Sequence, residues 1–129
     1  MKQETIDNYE MEIEEAVTIE EGKHEGIINN VSATQTQYVY INIHVLLTDP
    51  DIKDKKIKLK LDFPARVTET TGLGMLLKKS GFDLTIGEKI NLEVLRKHLT
   101  GCKLTFLTQN IETEKGTFAN IIKESVKFV

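Results

Sequence analysis

Two stretches of this chain alternate apolar and polar residues so regularly that each reads as a two-faced β-strand. Over residues 38–45, Val39, Ile41, Ile43 and Val45 share one face, and Tyr38, Tyr40, Asn42 and His44 share the other. Over residues 56–63, Ile57, Leu59, Leu61 and Phe63 oppose Lys56, Lys58, Lys60 and Asp62. Successive side chains of a strand point to opposite faces, so each segment has one face to bury and one to show. Paired with each other, the two strands would put two tyrosines and three lysines on one exposed surface. Bases stack on aromatic rings and ammonium groups pair with phosphates, which suits such a surface to single-stranded nucleic acid.

Charge at first argues against that reading, because the 129 residues carry a net −3. The acids are unevenly placed. Residues 1–25 hold nine acids against Lys2 and Lys23, a balance of −7, whereas residues 26–129 hold eleven acids against fifteen bases, a balance of +4. An acidic arm on a basic body is the organisation this predicts, with the arm over residues 1–21 and one domain over 22–129. A domain of this size buries roughly two-thirds of its unfolded surface. Cys102 is the lone cysteine, so no intramolecular disulfide forms. No apolar run approaches the ~20 residues of a membrane span. The acidic start lacks a secretory pattern. A cytoplasmic protein is the resulting expectation.

Along the chain, Ile6, Tyr9, Ile13 and Val17 recur near the helical period, while Met11-Glu12-Ile13 alternates, so the arm reads either as a short helix over residues 5–21 or as extended chain. A first strand is predicted over residues 23–31, with Gly22 and Gly26 permitting a bend or bulge. Residues 32–37 form a polar hairpin connection into the strand that starts at Tyr38. Thr48-Asp49-Pro50-Asp51 is a turn. The Lys56 strand follows and stops near Pro64. Leu73, Leu76 and Leu77 then mark a helix, capped by Thr70 or Thr71 and stopped at Gly81. Leu92, Leu95 and Leu99 mark a second, opened by Asn91 and closed by Gly101. Strands return over residues 102–109 and 117–126.

Three strands, a helical insert and two strands make a mainly β chain with the layout of a five-stranded OB-fold, a small Greek-key barrel. Its second and third strands commonly bind oligonucleotides or oligosaccharides. The competing architecture is an α+β sheet packed on one layer of helices.

Within the OB reading, the nucleic-acid-binding candidates are Tyr38 and Tyr40 as stacking rings, Asn42 and His44 as partners for base edges, Lys56, Lys58 and Lys60 as a phosphate ladder, and Arg66 at the rim. Each has a structural alternative. Tyrosines are good strand formers, and lysines on a strand discourage sheet-to-sheet aggregation. Motifs for other chemistry fail. Asp49, Asp51 and Asp54 begin like a calcium loop, but Asp54 stands at its glycine position and Lys60 at its final glutamate position. Gly72-Leu73-Gly74 lacks the third glycine of a dinucleotide fingerprint. His98 and Cys102 alone do not make a zinc site. No catalytic residue, metal or cofactor is expected.

The chain also resembles phage and prophage OB-fold proteins of the single-stranded DNA-binding kind over about residues 20–128. The resemblance is carried by Glu21-Gly22-Lys23-His24-Glu25-Gly26-Ile27-Ile28, Tyr38-Val39-Tyr40-Ile41, Gly72-Leu73-Gly74-Met75-Leu76-Leu77, Leu99-Thr100-Gly101-Cys102-Lys103 and Phe118-Ala119-Asn120-Ile121. It implies a protein that coats single-stranded DNA in phage replication or recombination, in the cytoplasm of a bacterial host. Replication or recombination proteins and further copies of the chain would be its partners, and RNA is an alternative ligand. Cellular single-strand binders end in an acidic tail, whereas this chain ends Lys127-Phe128-Val129 and carries its acids at the start. The second functional reading is an OB module whose exposed face binds another protein.

Overall fold

A computed structural model describes Glu10 and residues 19–129. The strands are β1 (Gly22–Gln35), β2 (Val39–Leu47), β3 (Lys58–Pro64), β4 (Lys103–Thr113), β5 (Gly116–Ile121) and β6 (Lys127–Phe128). Two helices, α1 (Gly72–Lys79) and α2 (Leu92–Leu99), lie between β3 and β4. All six strands belong to one antiparallel sheet of order β3-β2-β1-β4-β5, with β6 added to β4.

β1 organises this sheet because it belongs to two ladders. Its first half, Gly22 to Ile27, pairs with β4 from Thr108 to Lys103, and its second half, Gly26 to Gln35, pairs with β2 from Leu47 to Val39. The register slips between Ile28 and Asn30, leaving Asn29 as an extra residue. Such a bulge bends a strand and increases its twist. Just before it, a Cβ on Gly26 would lie 2.6 Å from Val45 Cγ1 and 2.9 Å from the Leu46 carbonyl. The bend expected at Gly26 is therefore a place where two strands approach too closely for any side chain.

The core follows the alternation. Ile41, Ile43, Val45 and Leu47 of β2 are buried together with Leu61 and Phe63 of β3, Ile28 and Val31 of β1, and Leu104 and Phe106 of β4. Both helices close over this layer with leucines at helical spacing, Leu73, Leu76 and Leu77 from α1 and Leu95 and Leu99 from α2. Their first turns are capped as expected. The Thr71 hydroxyl accepts from Gly74 N and the Asn91 side chain accepts from Val94 N. Arg96 Nε donates to the Val31 carbonyl at 3.2 Å and ties α2 to β1.

Several boundaries differ from the sequence expectation. β1 runs on through Ser32–Gln35, whose polar residues pair with Asn42 to Val39 but show no apolar period. Tyr38 precedes β2 and belongs to the hairpin turn, where Thr36 N donates to its carbonyl at 3.0 Å. Lys56 is not in β3. It follows a 3-10 turn over Lys53–Lys55 and has φ 53°, a left-handed conformation that ends the turn. β4 extends to Thr113, four residues past its expected end. β5 stops at Ile121, a 3-10 turn over Lys123–Ser125 follows, and the unexpected β6 pairs Phe128 with Leu104. The expected five-strand count thus becomes six, and the sheet is open. Among the described residues no backbone hydrogen bond joins β3 to β5. One side chain spans their far end, where Lys123 Nζ donates to the Asp62 carbonyl at 2.6 Å and lies 4.8 Å from the centre of the Phe63 ring. The arm expected over residues 1–21 falls outside the described residues, except for Glu10 and residues 19–21, which are not helical.

Replacing Gly26 by alanine forces a Cβ against Val45 and the Leu46 carbonyl, and overpacking of this kind costs about 1–3 kcal/mol. Urea denaturation of Gly26→Ala should show a lowered midpoint with an unchanged slope, and an unaltered midpoint would show that the strands part freely there.

Candidate nucleic-acid interface

On the outer face of the β2–β3 ladder the register sets Tyr40 opposite Pro64, Asn42 opposite Asp62, His44 opposite Lys60 and Leu46 opposite Lys58. Directly opposed side chains are close neighbours, with Cβ atoms roughly 5 Å apart. Tyr40, Lys58 and Lys60 therefore share one surface. Tyr38 adjoins its Tyr40 end from the hairpin turn and is 63% exposed. Arg66 is exposed two residues beyond Pro64, so it extends the same end. One end of the face is aromatic and carries an arginine, and the other end carries two lysines. Asp62 is a carboxylate between them.

Two of the sequence-predicted residues are engaged within the protein. Asn42 is only 3% exposed and donates from Nδ2 to Thr34 Oγ1 at 3.2 Å. His44 is half-buried, with Nε2 2.8 Å from Ser32 Oγ. Both bonds run diagonally to β1 and lock the polar face in place. Lys56 lies apart from the ladder, in the loop leading to β3.

That loop faces another feature. Lys55, Lys56 and Lys58 line a cleft of about 360 Å3 together with Thr117, Phe118 and Ala119 of β5, and Ile19 and Leu59 also line it. Phe118 is 50% exposed and pairs across strands with Ile111, itself exposed on the same outer face. Phe118 is not among the sequence-predicted site residues. Its signal was present, because Phe118 alternates with Ala119 and the buried Ile121 and must point away from the core.

His24 in β1 is bonded at both ring nitrogens. Its Nδ1 is hydrogen-bonded and ion-paired with Asp49 Oδ2, and its Nε2 lies 2.6 Å from the Glu20 carbonyl oxygen. The other Asp49 oxygen accepts from Glu25 N at 2.6 Å. With acceptors at both ring nitrogens, the imidazole satisfies both only when doubly protonated. Burial works against that charge, but the Glu20 carbonyl, the Asp49 hydrogen bond and charge, and the more distant Asp51 outweigh it and raise the pKa above 6.5. Burial alone pushes the Cys102 thiol up. Among the described residues no group of three His, Cys, Asp or Glu side chains converges on a metal position, and no helix is long and apolar enough to cross a membrane.

Comparison with protein-family models and with curated proteins finds no match to this chain.

Because the folded pKa of His24 lies above its unfolded value, the ion pair contributes fully below about pH 6.5 and its contribution fades as pH climbs through the folded pKa. The stability difference between the native chain and His24→Gln should thus be larger near about pH 6 than near about pH 9 in paired urea titrations. A difference that grows with pH would mean that the imidazole is held neutral.

Proposed function

We propose that this protein is an OB-type barrel that binds single-stranded DNA without catalysis and with little sequence preference. The carrying observation is that Tyr40, Lys58 and Lys60 lie on one outer face of β2 and β3, with Tyr38 and Arg66 at its end. The strand order supports the fold reading. A path β3-β2-β1-β4-β5 is that of a five-stranded Greek-key barrel cut between β3 and β5. In this reading bases stack on Tyr38 and Tyr40, while Lys58 and Lys60 neutralise successive phosphates. Asn42 and His44 hold the face rigid through Thr34 and Ser32 rather than reading bases. Without base-edge contacts from those two side chains, sequence preference stays low. The resemblance to phage single-strand binders extends the proposal to DNA replication or recombination in a bacterial cytoplasm, with proteins of those processes and further copies of the chain as partners.

The Asp62 carboxylate in the middle of the face favours a second reading, a protein-interaction module, since a carboxylate repels phosphate as readily as it attracts a partner's lysine.

A fluorescent DNA 30-mer titrated at several salt concentrations separates the two. Each phosphate contact contributes about −0.7 to the slope of log affinity against log salt, so the Lys58→Gln, Lys60→Gln double variant should flatten the slope by about 1.4. Each lost stacking ring costs roughly 1–3 kcal/mol, so Tyr40→Ala should weaken binding by about fivefold or more at every salt concentration. No binding of the 30-mer at low salt would leave the protein-interaction reading. The same titration with an RNA 30-mer decides between the nucleic acids.

A further inference from the structure

A groove of about 650 Å3 is lined by the segment leading from β3 into α1 and by the one joining α1 to α2. It starts at Ala65, a strand's length of roughly 20 Å from the Ile19-lined cleft at the Lys58 end of β3. Each segment fixes its own shape. Thr68 Oγ1 accepts from Thr70 N and Thr71 N, and Thr71 Oγ1 accepts from Thr68 N at 3.0 Å. A Cβ on Gly74 would collide with the Thr68 carbonyl, so this segment packs against the first turn of α1. In the other segment Glu88 N donates to the Thr85 carbonyl at 3.1 Å and Gly87 has φ 89°, which makes a type II turn with Ile86 at its second position. The turn leaves Ile86 97% exposed. Val67 is exposed too, while Leu84 and Ile90 are half-buried against the core. These four apolar side chains line one groove. Glu69, Asp83 and Glu88 line it with them, and among the described residues no lysine or arginine does.

We propose that this groove docks a segment of a partner protein that combines apolar anchors with lysine or arginine. Charge complementarity selects the occupant. Three carboxylates around apolar contacts attract a cationic segment and repel phosphate, so the lining disfavours nucleic acid. The chain's own acidic start has the wrong sign for it, because residues 1–18 carry six acids against Lys2 alone. The apolar side chains supply the rest of the attraction. Ile86 adds nothing to the core at 97% exposure, and covering it removes apolar surface from water. Since the Thr68–Thr71 bonds and the type II turn already hold both segments, docking has little loop ordering to offset. Arg66 lies in sequence between the groove residues Ala65 and Val67, so a docked partner sits next to the tyrosine-bearing face. The proposal uses no residue assigned to DNA and stands independently of that reading.

The test uses the full chain and a short fluorescein-labelled peptide of alternating leucine and lysine. Two control peptides replace every leucine by serine or every lysine by glutamate. The leucine–lysine peptide should bind at low salt, weaken as salt rises, and shift the amide signals of Glu69, Ile86 and Glu88 in the 15N-labelled protein. Ile86→Ser changes an exposed side chain and leaves the core intact, so it should fold normally and weaken the peptide about tenfold, the scale of one covered isoleucine. The Glu69→Gln, Glu88→Gln double variant should weaken it about fivefold, the scale of two surface ion pairs. Equal binding of the serine–lysine peptide, or amide shifts confined to residues 1–18, would mean attraction to the acidic start and overturn the groove. Equal binding of the leucine–glutamate peptide would overturn the charge argument and the proposal with it. Shifts of the same three amides by the DNA 30-mer alone would assign the groove to nucleic acid instead. A concentration-dependent dimer abolished by Ile86→Ser would assign it to a second copy of the chain.

Discussion

The whole sheet depends on one strand being shared. β1 gives its first half to β4 and its second to β2, and the two ladders overlap only at Gly26 and Ile27. The register slip at Asn29 lets Ile28 and Val31, three residues apart, both face the core. The missing side chain at Gly26 and the extra residue at Asn29 supply the bend. This shared strand carries Val31 into the core beside Ile43 and Phe106, and its Val31 carbonyl accepts from Arg96 of α2. The tyrosine-bearing face is the side of the sheet opposite the core.

That core was legible wherever both halves of the period were informative. β2 stood out because Ile41, Ile43 and Val45 alternate with residues of a different kind, and the caps Thr71 and Asn91 stood out because each precedes a run of leucines at helical spacing. Polar strand tails did not stand out. Ser32 to Gln35 pair as well as any part of β1, yet no apolar residue marks a buried side there. Lys56 misled in the other direction, since the alternation of lysine and apolar residues continues through a left-handed turn to which side-chain pattern is blind. β6 is two residues long and pairs through backbone groups, which leave no trace in composition.

The candidate site was legible as a list of residues and less so as a division of labour. Tyr40, Lys58 and Lys60 do share a surface, as pairing of the two strands requires. Asn42 reads in sequence as a polar surface residue, but its burial depends on Thr34 reaching across from β1, a contact between residues eight apart. Phe118 was signalled by its alternation with Ala119 and Ile121, but no charge or second ring beside it marked it as a site residue. Charge followed the same logic. Lys55, Lys56, Lys58 and Lys60 lie where one loop and one strand meet, interspersed with Asp51, Asp54 and Asp62.

The bridge from Lys123 to the Asp62 carbonyl sets how the curved sheet can respond to load. A continuous ladder between β3 and β5 would make the girth of the sheet a fixed quantity, changeable only by breaking several bonds together. Here one ammonium group on a flexible stem, steadied by the Phe63 ring, spans the gap. That contact can break while every strand keeps its existing partner and Leu61, Phe63 and Ile121 stay in the shared core. Among the described residues, the far ends of β3 and β5 are joined by a side chain rather than by a ladder.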